Sequence, residues 1–157
     1  MNSFDIIRVL CTQSPKAYAL ITGKTVTGTV LLYEYDEGSI VVIEAQGLPA
    51  TGCDLGVHGL HIHEGSSCSG TAAEPYANAG GHYSTTSCPH PYHTGDLPPL
   101  FSQDGQAWMA VYIAKFTPEQ IVGKTIVVHG NVDDFKTQPS GDSGPMIACG
   151  EIRELYQ

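Results

Sequence analysis

Basic side chains are scarce in this sequence: Lys and Arg total 7 against 16 Asp and Glu, a formal net charge of -9. With no basic cluster anywhere, a phosphate backbone or an anionic membrane surface would be repelled overall, and no nucleic acid partner is expected. Long apolar runs are missing too. Crossing a bilayer takes about 20 consecutive apolar residues, and no stretch approaches that length, so no membrane partner is expected. The first fifteen residues hold a short apolar patch, Ile6, Ile7, Val9 and Leu10, interrupted by Asp5 and Arg8. It has neither a basic n-region nor a small-residue cleavage site, which makes a cytoplasmic location the expectation. Cysteines number 5 and are dispersed, at Cys11, Cys53, Cys68, Cys88 and Cys149. That is unlike the dense framework of a small secreted scaffold, and the odd count leaves at least one thiol without an intramolecular partner.

What is present reads as a single all-β domain. At 157 residues the chain is long enough to bury its own core. Residues 18–22, 26–35, 39–46, 59–63, 107–115, 125–129 and 147–152 are rich in β-branched, aromatic and aliphatic side chains and predict strands. Turn chemistry separates them at Gly23-Lys24, 36–38 and 103–105, as antiparallel hairpins require. Two long stretches, 65–103 and 130–145, are crowded with Gly, Pro, Ser, Asp and His, and loops of that length are usually functional or disordered. The one helical signal is Thr117-Pro118-Glu119-Gln120, a capping box with proline at the first helical position, which predicts a single turn.

All seven histidines lie between His58 and His129. His61 and His63 stand at i and i+2, so a strand places both imidazoles on one face. In the first long loop His82, His90, His93 and Asp96 offer three neutral nitrogens and one carboxylate, a set suited to four-coordinate zinc. His129 ends the apolar run 125–128, where a rigid element can deliver its ring to a site at the barrel edge. His58 has the opposite strand parity from His61 and His63, and is read as structural.

Five segments in order, Gly59-Leu60-His61-Ile62-His63-Glu64, Gly80-Gly81-His82-Tyr83, His93-Thr94-Gly95-Asp96-Leu97, Gly123-Lys124-Thr125-Ile126-Val127-Val128-His129 and Ala148-Cys149-Gly150, resemble the copper,zinc superoxide dismutase family. The resemblance runs from Ala17 to Ile152. It implies a flattened Greek-key β-barrel of eight antiparallel strands with two long functional loops, spanning 17–157 behind an N-terminal extension, 1–16. It also implies an enzyme with a copper ion and a zinc ion as cofactors, superoxide as substrate, and pairing as a homodimer. Copper would be held by His61, His63, His82 and His129, and zinc by His82, His90, His93 and Asp96. His82 would bridge the two ions and carry a proton during turnover. Asp133 would hydrogen-bond one histidine of each set, and Cys68 and Cys149 would form the family's intrasubunit disulfide. Cys53 and Cys88 match no family position, so a second bridge between them stays open, and Cys11 is expected to be free.

The sequence departs from the family in two places. The interval from His90 to His93 is short, and Met146 stands where the family's enzymes carry the arginine beside copper. A thioether supplies neither the permanent charge nor the directed donors of a guanidinium, so weaker capture of an anion is expected. Lys136, in the loop after His129, is a nearby cation that could partly restore the positive field. The alternative reading is a copper- and zinc-binding protein with little or no dismutase turnover. A zinc hydrolase fits less well, because a complete ligand set leaves no open position for water.

Overall fold

The computed structural model describes residues 3–156; Met1, Asn2 and Gln157, at the outer limits of the expected 1–16 and 17–157 division, lie outside them. Ten strands run through these residues: β1 (Ala17–Gly23), β2 (Thr27–Tyr35), β3 (Gly38–Gln46), β4 (Leu55–His58), β5 (Leu60–His63), β6 (Leu100–Gln103), β7 (Gln106–Ile113), β8 (Thr125–His129), β9 (Met146–Glu151) and β10 (Arg153–Glu154). They form one antiparallel sheet in the order β4-β6-β7-β3-β2-β1-β9-β8-β5, with β10 added beside β1. β4 and β5 end opposite extremes of that path, yet only Gly59 separates them along the chain. The sheet must therefore curl until its two edges meet, which makes it a nearly closed barrel, as the all-β Greek-key expectation requires.

Strand alternation builds the interior. Ala19 faces Val30, Leu32 faces Val41 and Val30 faces Ile43 in register, all fully buried in one cluster with Leu60, Ile62 and Ile126. Seven of these strands match the segments predicted from sequence; β4, β6 and β10, of four, four and two residues, are the additional ones. β6 in particular lies inside the stretch read as loop, and gains its strand from pairing with β4. The expected strand 59–63 begins one residue later, at Leu60, because Gly59 turns its amide to Asn131 O at 2.9 Å.

A helix that composition did not announce, α1 (Ser3–Thr12), precedes the barrel. Val9 is buried, with Ile6 and Leu10 beside it, against Tyr33, Ile40, Val42 and Tyr112 on the outer faces of β2, β3 and β7. The spacing 6, 9, 10 is helical, but Asp5 and Arg8 interrupt it, and its docking face exists only once β2, β3 and β7 have paired. The second helix, α2 (Pro118–Ile121), is the predicted turn, with Gln120 Oε1 accepting from Thr117 N at 2.9 Å. Cys68 and Cys149 form a disulfide that ties the first long loop to β9. Cys11, Cys53 and Cys88 are free and exposed, so the second bridge does not form.

Candidate metal centre

β5 is buried along its whole length. Leu60 and Ile62 enter the core, and the alternation of a strand sends His61 and His63 to the opposite face. β8 repeats the pattern: Ile126 and Val128 join the core, while Val127 pairs with His61 and His129 follows on that same face. The first long loop then returns along the free edge of β5. Ile62 N donates to Gly95 O at 2.9 Å, Tyr83 N to Ile62 O at 2.8 Å and Glu64 N to Gly81 O at 2.9 Å. These bonds set His82 beside His63 and Asp96 beside His61. Gly95 is needed for the approach, because a Cβ there would collide with the Ile62 carbonyl.

One nitrogen of each ring is committed to the protein. His63 Nδ1 donates to Gly80 O at 2.8 Å and His129 Nδ1 to Gly144 O at 3.2 Å. Those carbonyls fix the proton on Nδ1 in both rings, so the two Nε2 atoms, 3.2 Å apart, present bare lone pairs to each other. His61 Nε2 bonds Asp133 Oδ2 and His82 Nδ1 bonds Asp96 Oδ1, both at 2.8 Å. The opposite atoms, His61 Nδ1 and His82 Nε2, are buried with no hydrogen-bond partner. Ligand atoms of His61, His63, His82 and His129 lie within 4.8 Å of one another. Converging, unpartnered lone pairs repel unless a cation sits among them, and this donor set fits one.

A second group adjoins the first. His61, His82, His90 and Asp96 also fall within 4.8 Å of one another. His61 turns its other nitrogen, Nε2, to Asp133 and has none left for this group, whereas His82 Nδ1 meets Asp96, itself a member of it. His93 is the better fourth donor: its Nδ1 lies 3.3 Å from Asp96 Oδ2, where His90 Nδ1 also arrives at 3.1 Å. Both of these Nδ1 atoms are buried and, though close to that carboxylate, make no hydrogen bond. Asp133 spans the two groups, since Oδ2 takes His61 Nε2 and Oδ1 takes His90 Nε2 at 2.9 Å. Phe135 N steadies that carboxylate at 2.7 Å. Gly141, at φ +70, gives it room that a Cβ would fill. Sequence reasoning missed Lys115, whose Nζ donates to the His93 carbonyl at 2.9 Å and holds that turn to the barrel.

Burial sets the protonation of the donors. It pushes His63 down to about 3, against the pull of the Gly80 carbonyl, and His129 down to about 4, against that of Gly144. His61 is depressed further, by burial and then by the neighbouring His82 and His129. All three rings are therefore neutral donors near pH 7. For Asp96, burial is the largest single influence and would raise the carboxyl, but the bond to His82, the charges of His82 and His90 and the His93 N–H together outweigh it and hold the group below its usual range. His58 belongs to neither group. It is fully buried in β4, with Nδ1 2.9 Å from His129 O and Nε2 3.1 Å from Pro49 O, as a structural residue should be.

A cavity of about 640 Å³ opens onto His63, His82, His93 and His129. Its walls include Pro75, Tyr76, Pro139, Pro145 and Met146; Glu74 is its one carboxylate, and no Lys or Arg lines it among the described residues. Met146 pairs with His129 across β8 and β9 and so stands beside the ring. Lys136 forms no part of the wall.

Two adjoining donor groups that share His82, on the outer face of a nearly closed antiparallel barrel, define a metal-binding β-barrel protein. The family model for copper/zinc superoxide dismutase matches residues 26–152. Superoxide dismutase [Cu-Zn] of Deinococcus radiodurans is 36% identical over 152 residues, covering 85% of this chain and 80% of that protein. The enzyme of the same name from Caulobacter vibrioides is 33% identical over 143 residues, covering 80% of this chain and 78% of its own length. The crystal structure of the clock protein EA4 superposes with a TM-score of 0.74 at 24% identity, over 91% of this chain and 97% of that one, a likeness of fold. The chain belongs to the copper/zinc superoxide dismutase family.

Proposed function

We propose that this protein is a superoxide dismutase that holds copper through His61, His63, His82 and His129 and zinc through His82, His90, His93 and Asp96. The observation that carries the proposal is the convergence of buried, unpartnered nitrogens, His61 Nδ1 and His82 Nε2 on one side and His90 Nδ1 and His93 Nδ1 on the other. When bound, copper supplies one-electron chemistry between its two oxidation states, and zinc, with no accessible redox change, supports the framework. The Gly80 and Gly144 carbonyls aim the Nε2 lone pairs of His63 and His129, and Asp133 keeps His61 and His90 in orientation. His82, shared by both groups, takes a proton at Nε2 and passes it to the reduced dioxygen. Two superoxide ions and two protons yield one dioxygen and one hydrogen peroxide.

The cavity lets a small anion reach His63 and His129 but, among the described residues, no Lys or Arg lines it. Capture is accordingly slower than the near-diffusional rates that steering produces. The binding-only alternative rests on Met146 alone, and the complete donor set and the family both favour turnover.

The proposal extends to a homodimer acting in the cytoplasm, with residues 1–16 as an extension of the barrel domain 17–157. Among the described residues no helix is long and apolar enough to cross a membrane. One relative, from Rattus norvegicus, is named an extracellular superoxide dismutase, so cell fractionation is the check on location and sedimentation the check on pairing. For the activity, the protein is loaded with copper and zinc, stoichiometry is fixed by elemental analysis, and superoxide decay is followed by pulse radiolysis across ionic strength. Decay above that of free copper, with weak salt dependence, is expected; bound metals without turnover would refute the enzyme.

A further inference from the structure

We infer that Gln138 is a positioning residue for His90, an inference that rests on the zinc set proposed above. His90 is 2% exposed, so its peptide groups are shut away from water. Its N–H donates to Gln138 Oε1 at 3.0 Å, and its carbonyl accepts from Gln138 Nε2 at 2.7 Å. One carboxamide thus closes a two-point ring on the backbone of a ligand, reaching across 48 residues from the second long loop. No backbone–backbone bond among the described residues serves either group.

The short interval after His90 explains the need. Pro91 has no amide hydrogen to offer, and Tyr92 N is taken by Pro89 O at 2.8 Å. The segment from His90 to His93 therefore lacks a backbone anchor to the barrel at its His90 end. Asp133 fixes the ring of His90 at Nε2, but a ring held at one atom still pivots unless its backbone is fixed as well. Gln138 supplies that second point. Gln138 is itself presented by a tight turn, in which the Asp134 carboxylate accepts from Lys136 N at 3.0 Å and Thr137 N at 2.8 Å. The next two residues, Pro139 and Ser140, line the cavity over the histidines. The same clamp therefore ties the placement of a zinc donor to the position of the cavity wall.

The test uses metal-free full-length protein titrated with zinc against a chelator, and with Co(II) read by its visible absorption. Gln138→Ala should weaken zinc about tenfold and alter the Co(II) spectrum, while copper affinity stays within about twofold. Gln138→Glu keeps the acceptor for His90 N–H but loses the donor, and should fall between the two. That graded rescue, and the changed spectrum of the loaded site, separate positioning from a general loss of stability, with far-ultraviolet circular dichroism confirming an intact barrel. If His93→Ala loses zinc while Gln138→Ala binds it like the unaltered protein, the inference is overturned and the ligand set stands. If neither substitution affects zinc, the set itself falls, and the role of Gln138 with it.

Discussion

Substituting Met146→Arg should raise the rate of superoxide removal, and the structure sets the scale of the gain. Met146 is half-buried at the wall of a cavity that holds one carboxylate, Glu74, and no Lys or Arg among the described residues. For a guanidinium taken at about 6 Å from an anion beside the histidines, the attraction is about 2.8 kcal/mol at an effective dielectric of about 20 and a quarter of that in bulk water. The cavity is open, so an intermediate value of about 1.4 kcal/mol applies, or about tenfold in kcat/KM at low salt. The gain should shrink as the Debye length falls to about 10 Å at 0.1 M ionic strength and below at higher salt. Met146 also packs against the buried cluster of Ala79, Val127 and Cys149, so Met146→Leu is the control for packing alone and should leave the rate near that of the parent. The assay is pulse radiolysis on protein of matched copper and zinc content at several ionic strengths. An arginine variant no faster than the leucine variant, or a gain indifferent to salt, would refute the electrostatic reasoning.

Three further outcomes are expected. Asp133→Asn removes the carboxylate that holds His61 and His90, and should lower affinity for both metals by about 10–100-fold in chelator competition; unchanged affinities would deny Asp133 its orienting role. Cys149→Ser opens a disulfide that joins residues 81 positions apart, for which chain entropy gives a loss of about 4.5 kcal/mol, read as a lower urea midpoint; an unmoved midpoint would contradict it. His63 and His129 have folded-state values near 3 and 4, below the usual histidine value of about 6.5. Between these values the unfolded chain binds more protons than the native one, so stability of the metal-free protein rises with pH and is lost as pH falls from about 6.5 towards the folded values. The slope reaches at most about 1.4 kcal/mol per pH unit for each ring. Urea midpoints from neutral to acid pH measure it, and a flat profile would show that these rings titrate normally.

Much of the barrel was legible because strand chemistry is local. Alternating apolar residues in β1, β2, β3 and β7 and the β-branched run of β8 show their character within a single segment, and the turn residues between them mark where pairing reverses. The same alternation put His61 and His63 on one face before any partner was known. β4 and β6 were illegible because Leu55-Gly56-Val57-His58 follows Gly52-Cys53-Asp54 and Leu100-Phe101-Ser102-Gln103 closes a Pro-rich stretch, and pairing with each other is what makes them strands. The helix α1 was hidden for a related reason: its apolar face is narrow, and the surface that rewards it is assembled from β2, β3 and β7.

Residue identity alone settles which side chains are available: six histidines and an aspartate suited to metals, two cysteines in family positions, and a methionine in place of a cation. How they are used is settled by folding. Which nitrogen of each ring is free depends on carbonyls and carboxylates brought from distant segments, Gly80 and Gly144 for His63 and His129, and Asp133 for His61 and His90. The missing positive charge at the cavity is likewise a matter of space, since Lys136 is near in sequence yet outside the wall. Residue type is a local property, whereas burial, hydrogen-bond partnership and field depend on everything that folding packs around a group.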